Sequence, residues 1–64
     1  MMNIVSVTRG VMMGGWRQPV TIIVNDNGDV FMTEFPTAVE TGEQDIVVTK
    51  KNSKGFNTFY VKGE

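Results

Sequence analysis

Short runs in which apolar and polar residues alternate dominate the chain and predict β-strands. In the first run, 3–13, Val5 and Val7 alternate with Ser6 and Thr8 at the two-residue period of a strand. The remaining runs are 20–24, 30–35, 45–51 and 56–62. Glycine, asparagine, aspartate and proline separate the runs, as is typical of turns. The pattern therefore predicts an all-β protein with about five antiparallel strands.

The second and third runs are predicted to form a hairpin. Between them lies Asn27-Gly28, the pair that favours a two-residue type I′ turn. This turn would place Val24 opposite Phe31. The predicted core face then consists of Val20, Ile22, Val24, Phe31, Thr33 and Phe35. The predicted outward face keeps three apolar residues, Ile23, Val30 and Met32, which either a curl of the sheet or a second copy of the chain would cover.

The last two runs are predicted to form a second hairpin. Asn52-Ser53-Lys54-Gly55 fits a three-residue loop with glycine in the left-handed conformation. Asn52 would then lie opposite Phe56. The predicted core face of this hairpin consists of Val47, Thr49, Phe59 and Val61.

The segment between the two hairpins has the spacing of a helix start. Pro36 ends the preceding strand, and Thr37 is followed three residues later by Glu40, as in a capping box. We therefore expect one short helical turn near 37–42. With two hairpins and a long first strand, residues 1–64 are predicted to form a single small domain, either an SH3-like barrel or a curled sheet.

Composition narrows the range of functions. The 64 residues include no Cys and no His, which excludes disulfides, thiolate metal sites and imidazole bases. Asn25, Asn27 and Asp29 approach the spacing of a calcium loop, but Ile23 occupies the first ligand position. We therefore expect no metal, no cofactor and no enzymatic activity.

Charge and hydropathy favour a cytoplasmic protein. The formal net charge is −1, which argues against a strongly basic nucleic-acid binder. No apolar run approaches the ~20 residues that span a bilayer. The first residues also lack the basic and apolar regions of a secretory signal. The size of the chain fits a small phage or plasmid accessory protein.

One candidate site is a protein-binding surface around Gly14-Gly15. Trp and Arg are enriched at interface hot spots, and Met suits adaptable apolar contacts. With the outward face of the first hairpin, the predicted partner-binding residues are Met12, Met13, Trp16, Arg17, Ile23, Val30 and Met32. Trp16 could instead cover one end of the core. This surface predicts that the protein is an adaptor or inhibitor that binds a partner protein. The same apolar face predicts a homodimer.

The alternative site lies in the basic C-terminal hairpin. Lysines and aromatic residues alternate there, as in surfaces that bind RNA or single-stranded DNA. The residues of this site are Lys50, Lys51, Lys54, Phe56, Tyr60 and Lys62. Four lysines are few for a phosphate track, and lysines also protect edge strands. Protein binding is therefore the preferred hypothesis.

Overall fold

Six β-strands form one curled sheet in the computed structural model, which describes residues 1–12 and 17–63 except for the Met12 side chain. The strands are β1 (Met2–Met12), β2 (Gln18–Asn25), β3 (Val30–Thr33), β4 (Gly42–Gln44), β5 (Ile46–Lys51) and β6 (Asn57–Val61). Their order across the sheet is β4-β1-β2-β3-β6-β5. The prediction of a small all-β curled sheet is confirmed, with six strands in place of about five. One pairing, between Phe31 of β3 and Asn57 of β6, is parallel rather than antiparallel.

The two ends of the sheet are neighbours in the chain. β4 begins the strand order and β5 ends it, yet only Asp45 separates them in sequence. The backbone amide of Lys62, just after β6, donates a hydrogen bond to the Asp45 carbonyl at 2.8 Å. The sheet must therefore curl into a half-barrel so that its first and last strands meet at Asp45.

The core lies on the concave side of this curl. Its buried residues are Ile4, Ile23, Phe31, Val39 and Phe59. The partly buried residues Met2, Val7, Ile46 and Val61 pack against them. All strands except β4 contribute to this core, and β3 is buried at three consecutive positions, Phe31, Met32 and Thr33.

The loop of the first hairpin is one residue longer than predicted. The Asn25 amide donates to the Asp29 carbonyl at 3.1 Å, and the Gly28 amide donates to the Asn25 carbonyl at 3.0 Å. The loop therefore comprises 26–28, with Gly28 at φ +83°. Such a loop is a type I turn followed by a left-handed glycine, and not the type I′ turn that Asn27 and Gly28 suggest.

This longer loop turns the other face of β2 towards the core. Ile23 pairs with Phe31 and is fully buried, so the prediction that it faces outward is wrong. Met32, also predicted to face outward, is only 3% exposed, whereas Val30 is 39% exposed. The predicted core residues Val20, Ile22 and Val24 are half-buried on the opposite face. A shift of one residue in register inverts every side chain of a strand.

The loop of the second hairpin is as predicted, but its register is not. The Asn52 amide donates to the Phe56 carbonyl at 2.8 Å, and Gly55 has φ +86°. Further along, an irregularity between Val48 and Lys51 shifts the pairing by one residue. Ile46 then pairs with Val61 and packs against the core. The prediction had placed Val47 in the core instead, and it is wrong on this point.

The helical turn predicted near 37–42 is wrong. Residues 36–40 have no regular secondary structure, and Gly42 begins β4. Val39 inserts its side chain fully into the core, and the Arg9 guanidinium hydrogen-bonds to the carbonyls of Val39 and Thr37.

The described residues include no helix that is long and apolar enough to cross a membrane.

Candidate functional site

A groove of about 420 Å³ lies across the C-terminal hairpin, and we call it the hairpin groove. It is lined by Thr33, Glu34, Phe35, Thr49, Lys50, Asn52, Ser53, Thr58, Phe59 and Tyr60. One wall is the chain that leaves β3, and the rest is formed by β5, β6 and the loop between them. Its volume is at the lower end of the roughly 300–1,000 Å³ typical of ligand pockets. The groove is therefore large enough for one or two side chains of a partner.

A β-bulge builds the floor of the hairpin groove. Between the pairs Val48–Phe59 and Lys51–Asn57, β5 has two residues, Thr49 and Lys50, where β6 has only Thr58. The two bulged residues and Thr58 all line the groove. Bulges commonly redirect side chains next to functional sites.

The hydroxyl of Thr58 stabilises this bulge. Thr58 Oγ1 donates to the Lys50 carbonyl, and it lies within hydrogen-bond distance of Thr49 Oγ1. Because a hydroxyl has one proton, Thr49 must be the donor to Thr58. Both hydroxyl protons are thus committed inside the hairpin. The floor offers a ligand mainly apolar contact.

Two exposed aromatic side chains line the hairpin groove. Phe35 is 76% exposed, and Tyr60 is 53% exposed. Phe35 lies beyond the end of β3, where its amide donates to Thr33 Oγ1 at 3.3 Å. The prediction that Phe35 belongs to the core is therefore wrong. Tyr60 is exposed because it alternates with Phe59, whose side chain is in the core.

The charge at the groove is mixed. Lys50 and Glu34 belong to the lining, and Glu34 Oε1 accepts from Lys54 Nζ at 3.3 Å. The side chains of Lys54 and Glu34 are 44% and 31% exposed, so this pair contributes only roughly 0–1 kcal/mol to stability. Its effect is to hold one lysine of the loop against the end of β3.

The residues of the predicted nucleic-acid site are all on the surface. Lys50, Lys51, Lys54, Phe56, Tyr60 and Lys62 are each exposed. The structure brings Lys50 and Tyr60 together in the hairpin groove, with Lys54 at its edge through Glu34. Phe56, at 38% exposure, lies outside the groove lining. The structure thus joins part of the predicted set with Phe35, which sequence reasoning had placed elsewhere.

Two residues of the predicted protein-binding surface, Ile23 and Met32, are buried rather than exposed. Met13 and Trp16 lie outside the described residues, as does the Met12 side chain, and Arg17 is exposed. Ile23 and Met32 are buried within the single chain, which leaves Val30 as the exposed member of the hairpin. The homodimer therefore stays a prediction, and Ile23 and Met32 are not available as its contacts.

Sequence reasoning missed the parts of the groove that depend on register. Thr49 was predicted for the core, and Glu34, Thr58 and Phe35 were not predicted as site residues. The signal available for Phe35 was its position before Pro36, since a proline ends the strand there. The bulge had no signal of its own, because Val47, Val48 and Thr49 all suit either face of a strand.

A second pocket of about 400 Å³ lies between the first hairpin loop and the start of β1. It is lined by Met1, Met2, Asn3, Asn25, Asp26, Asn27 and Glu43. Asp26 and Glu43 make it acidic. Within residues 1–12 and 17–63 there is no group of three or more acidic side chains placed to hold a metal ion. This pocket has neither the aromatic lining nor the lysines of the hairpin groove.

Comparison with known proteins adds no relative to this description. No family model, no curated protein and no solved structure matches the chain.

Proposed function

We propose that the protein is a small non-enzymatic binding module, an adaptor or an inhibitor, that holds a partner protein in the hairpin groove. The observation that carries this proposal is the exposure of Phe35 and Tyr60 beside one concave surface. Aromatic residues are enriched at protein interfaces, and each buries a large area when it docks. Removing apolar surface from water favours binding by roughly 25 cal/mol per Å².

Hydrogen bonds within the groove also support a binding role. Thr58 fixes the bulge that forms the floor, and Asn52 fixes the loop that forms one end. A preformed site loses less conformational entropy on binding than a flexible one. The absence of His and Cys from the sequence supports the non-enzymatic part of the proposal.

Site-specific photo-crosslinking in a cell lysate tests this proposal. A benzophenone side chain replaces Phe35, and a matched control carries it at Val5, which is 55% exposed on β1 and outside the groove. We expect a discrete protein adduct from position 35 that withstands nuclease and disappears when Tyr60→Ala is added. Equal labelling from both positions, or none from position 35, would contradict a partner in the groove.

The second candidate function is binding of RNA or single-stranded DNA. It is favoured by the exposure of the predicted lysines and by the presence of Lys50 and Tyr60 in one groove. A crosslink at position 35 that nuclease removes would support this candidate, as would binding that weakens steeply with salt. A cytoplasmic location, a phage or plasmid source and self-association stay predictions from the sequence.

A further inference from the structure

The hairpin groove combines apolar surface with a small excess of positive charge. Phe35 and Tyr60 supply exposed aromatic surface, and Lys50 lies in the lining with them. Lys54 is held at the edge of the groove by Glu34. Lys50 and Lys54 against Glu34 give a local formal charge of about +1 at pH 7.

We infer that the occupant of the groove is an extended acidic segment of a partner protein, with an apolar or aromatic side chain beside its carboxylates. This inference rests on the function proposed above. The apolar side chain contacts Phe35 and Tyr60, and the neighbouring carboxylates face Lys50. Such charge complementarity adds specificity and speeds association.

The same charges disfavour a nucleic acid as the occupant. Glu34 belongs to the groove lining, and a carboxylate there repels the phosphates that follow every base. A nucleic-acid track needs several unpaired cations, whereas Lys54 is already paired with Glu34. A short peptide segment with one or two carboxylates is repelled less by Glu34 and needs fewer unpaired lysines.

Fluorescence anisotropy with defined probes tests the inference. The first probe is a short labelled peptide with a central Phe flanked by Asp and Glu. The comparison probes are the same peptide with Lys in place of the acids, the same peptide with Ala in place of Phe, and a labelled oligothymidine. We expect the acidic Phe peptide to bind at least about fivefold more tightly than each comparison probe.

Variants of the protein locate the binding. Lys50→Glu should weaken the acidic peptide at least about fivefold, while Lys62→Glu, the same charge change at an exposed position outside the lining, should weaken it less than about twofold. Tyr60→Ala should weaken it as strongly as Lys50→Glu. Circular dichroism confirms that each variant keeps its sheet.

The outcomes separate the inference from the proposed function. Equal effects of Lys50→Glu and Lys62→Glu, or no preference for the acidic probe, would overturn the acidic occupant. A protein adduct from position 35 would then still support the binding module. Tighter binding of oligothymidine than of any peptide would overturn both in favour of the nucleic-acid candidate.

Discussion

Arg9 of β1 donates a hydrogen bond from Nη2 to the backbone carbonyl of Val39, 30 residues further along the chain. The Val39 side chain is fully buried, although the segment around it has no regular secondary structure. A buried anchor in an irregular segment leaves backbone carbonyls that no strand partner satisfies. The Arg9 guanidinium takes that role, with a second hydrogen bond to the Thr37 carbonyl at 3.4 Å.

Arg9→Met should therefore lower the free energy of unfolding by about 1–2 kcal/mol, the cost of leaving partly buried carbonyls without a charged donor. Urea denaturation measures this loss. Lys51→Met is the matched control, since it removes an exposed cation from another strand, and it should change stability by less than about 0.5 kcal/mol. Equal losses in the two variants would contradict the role of Arg9.

Gly28→Ala and Gly55→Ala should each destabilise the protein by about 1–2 kcal/mol, because both glycines hold left-handed φ angles, +83° and +86°. No atom lies within 4 Å of a methyl group at either position, so backbone strain is the whole cost. Asparagine tolerates this conformation, and Gly28→Asn and Gly55→Asn should cost less than the alanine variants. Thermal unfolding compares the four variants, and alanine as stable as asparagine would show that strain is not the cause.

Asn25→Asp should cost about 1–2 kcal/mol more stability than Asn52→Asp. Asn25 Nδ2 donates to Asp29 Oδ2 at 3.3 Å, so an aspartate there loses a hydrogen bond and places two carboxylates side by side. Asn52 Nδ2 has no hydrogen-bond partner among the described residues, and its Oδ1 keeps both amide donors after the change. Urea denaturation of the pair checks the difference. Equal losses would show that the Asn25–Asp29 contact contributes little.

Thr58→Val should destabilise the hairpin by about 1 kcal/mol, since it leaves the Lys50 carbonyl and the Thr49 hydroxyl without their partner. Thr49→Val removes only the donor to Thr58 and should cost less. If the bulge positions the groove, Thr58→Val should also weaken the acidic peptide more than Thr49→Val does. Anisotropy and urea denaturation of both variants check the two effects. The reverse order would show that the bulge does not depend on Thr58.

The two hairpins explain how far the sequence predicts this fold. Both loops have the same structure, with an asparagine whose Oδ1 accepts two amides and a glycine three residues later. Asn52 to Gly55 was predicted correctly because no competing turn signal lies within it. In the first loop, the pair Asn27-Gly28 suggested a shorter turn, while the Asn25 side chain determines the longer one.

Hydrophobic pattern could not correct that error. Ile22, Ile23 and Val24 are consecutive apolar residues, so both faces of β2 carry apolar side chains and either face fits a core. The structure resolves the ambiguity through the loop hydrogen bonds of Asn25. The predicted outward patch assumed that Ile23 faces outward. Because Ile23 is buried, that surface loses its main support.

Tertiary contacts decided the elements that the sequence did not predict. β4 contains Gly, Glu and Gln, none of which favours a strand, and its pairing with β1 alone makes it one. Thr37 and Glu40 have the spacing of a helix start, but burial of Val39 overrides it. Of the ten residues that line the groove, Lys50 and Tyr60 were named from the sequence, whereas Phe35 required the true end of β3.

The pairing of β1 with β4 joins segments that are distant in the sequence. Met2 pairs with Gln44 and Asn3 with Glu43, so the first strand of the sheet completes its contacts only when a late segment of the chain arrives. Contacts between residues so distant in sequence close large loops, and proteins rich in them fold in milliseconds to seconds rather than microseconds. During synthesis, β1 therefore cannot pair on this side until residues 42–44 have left the ribosome.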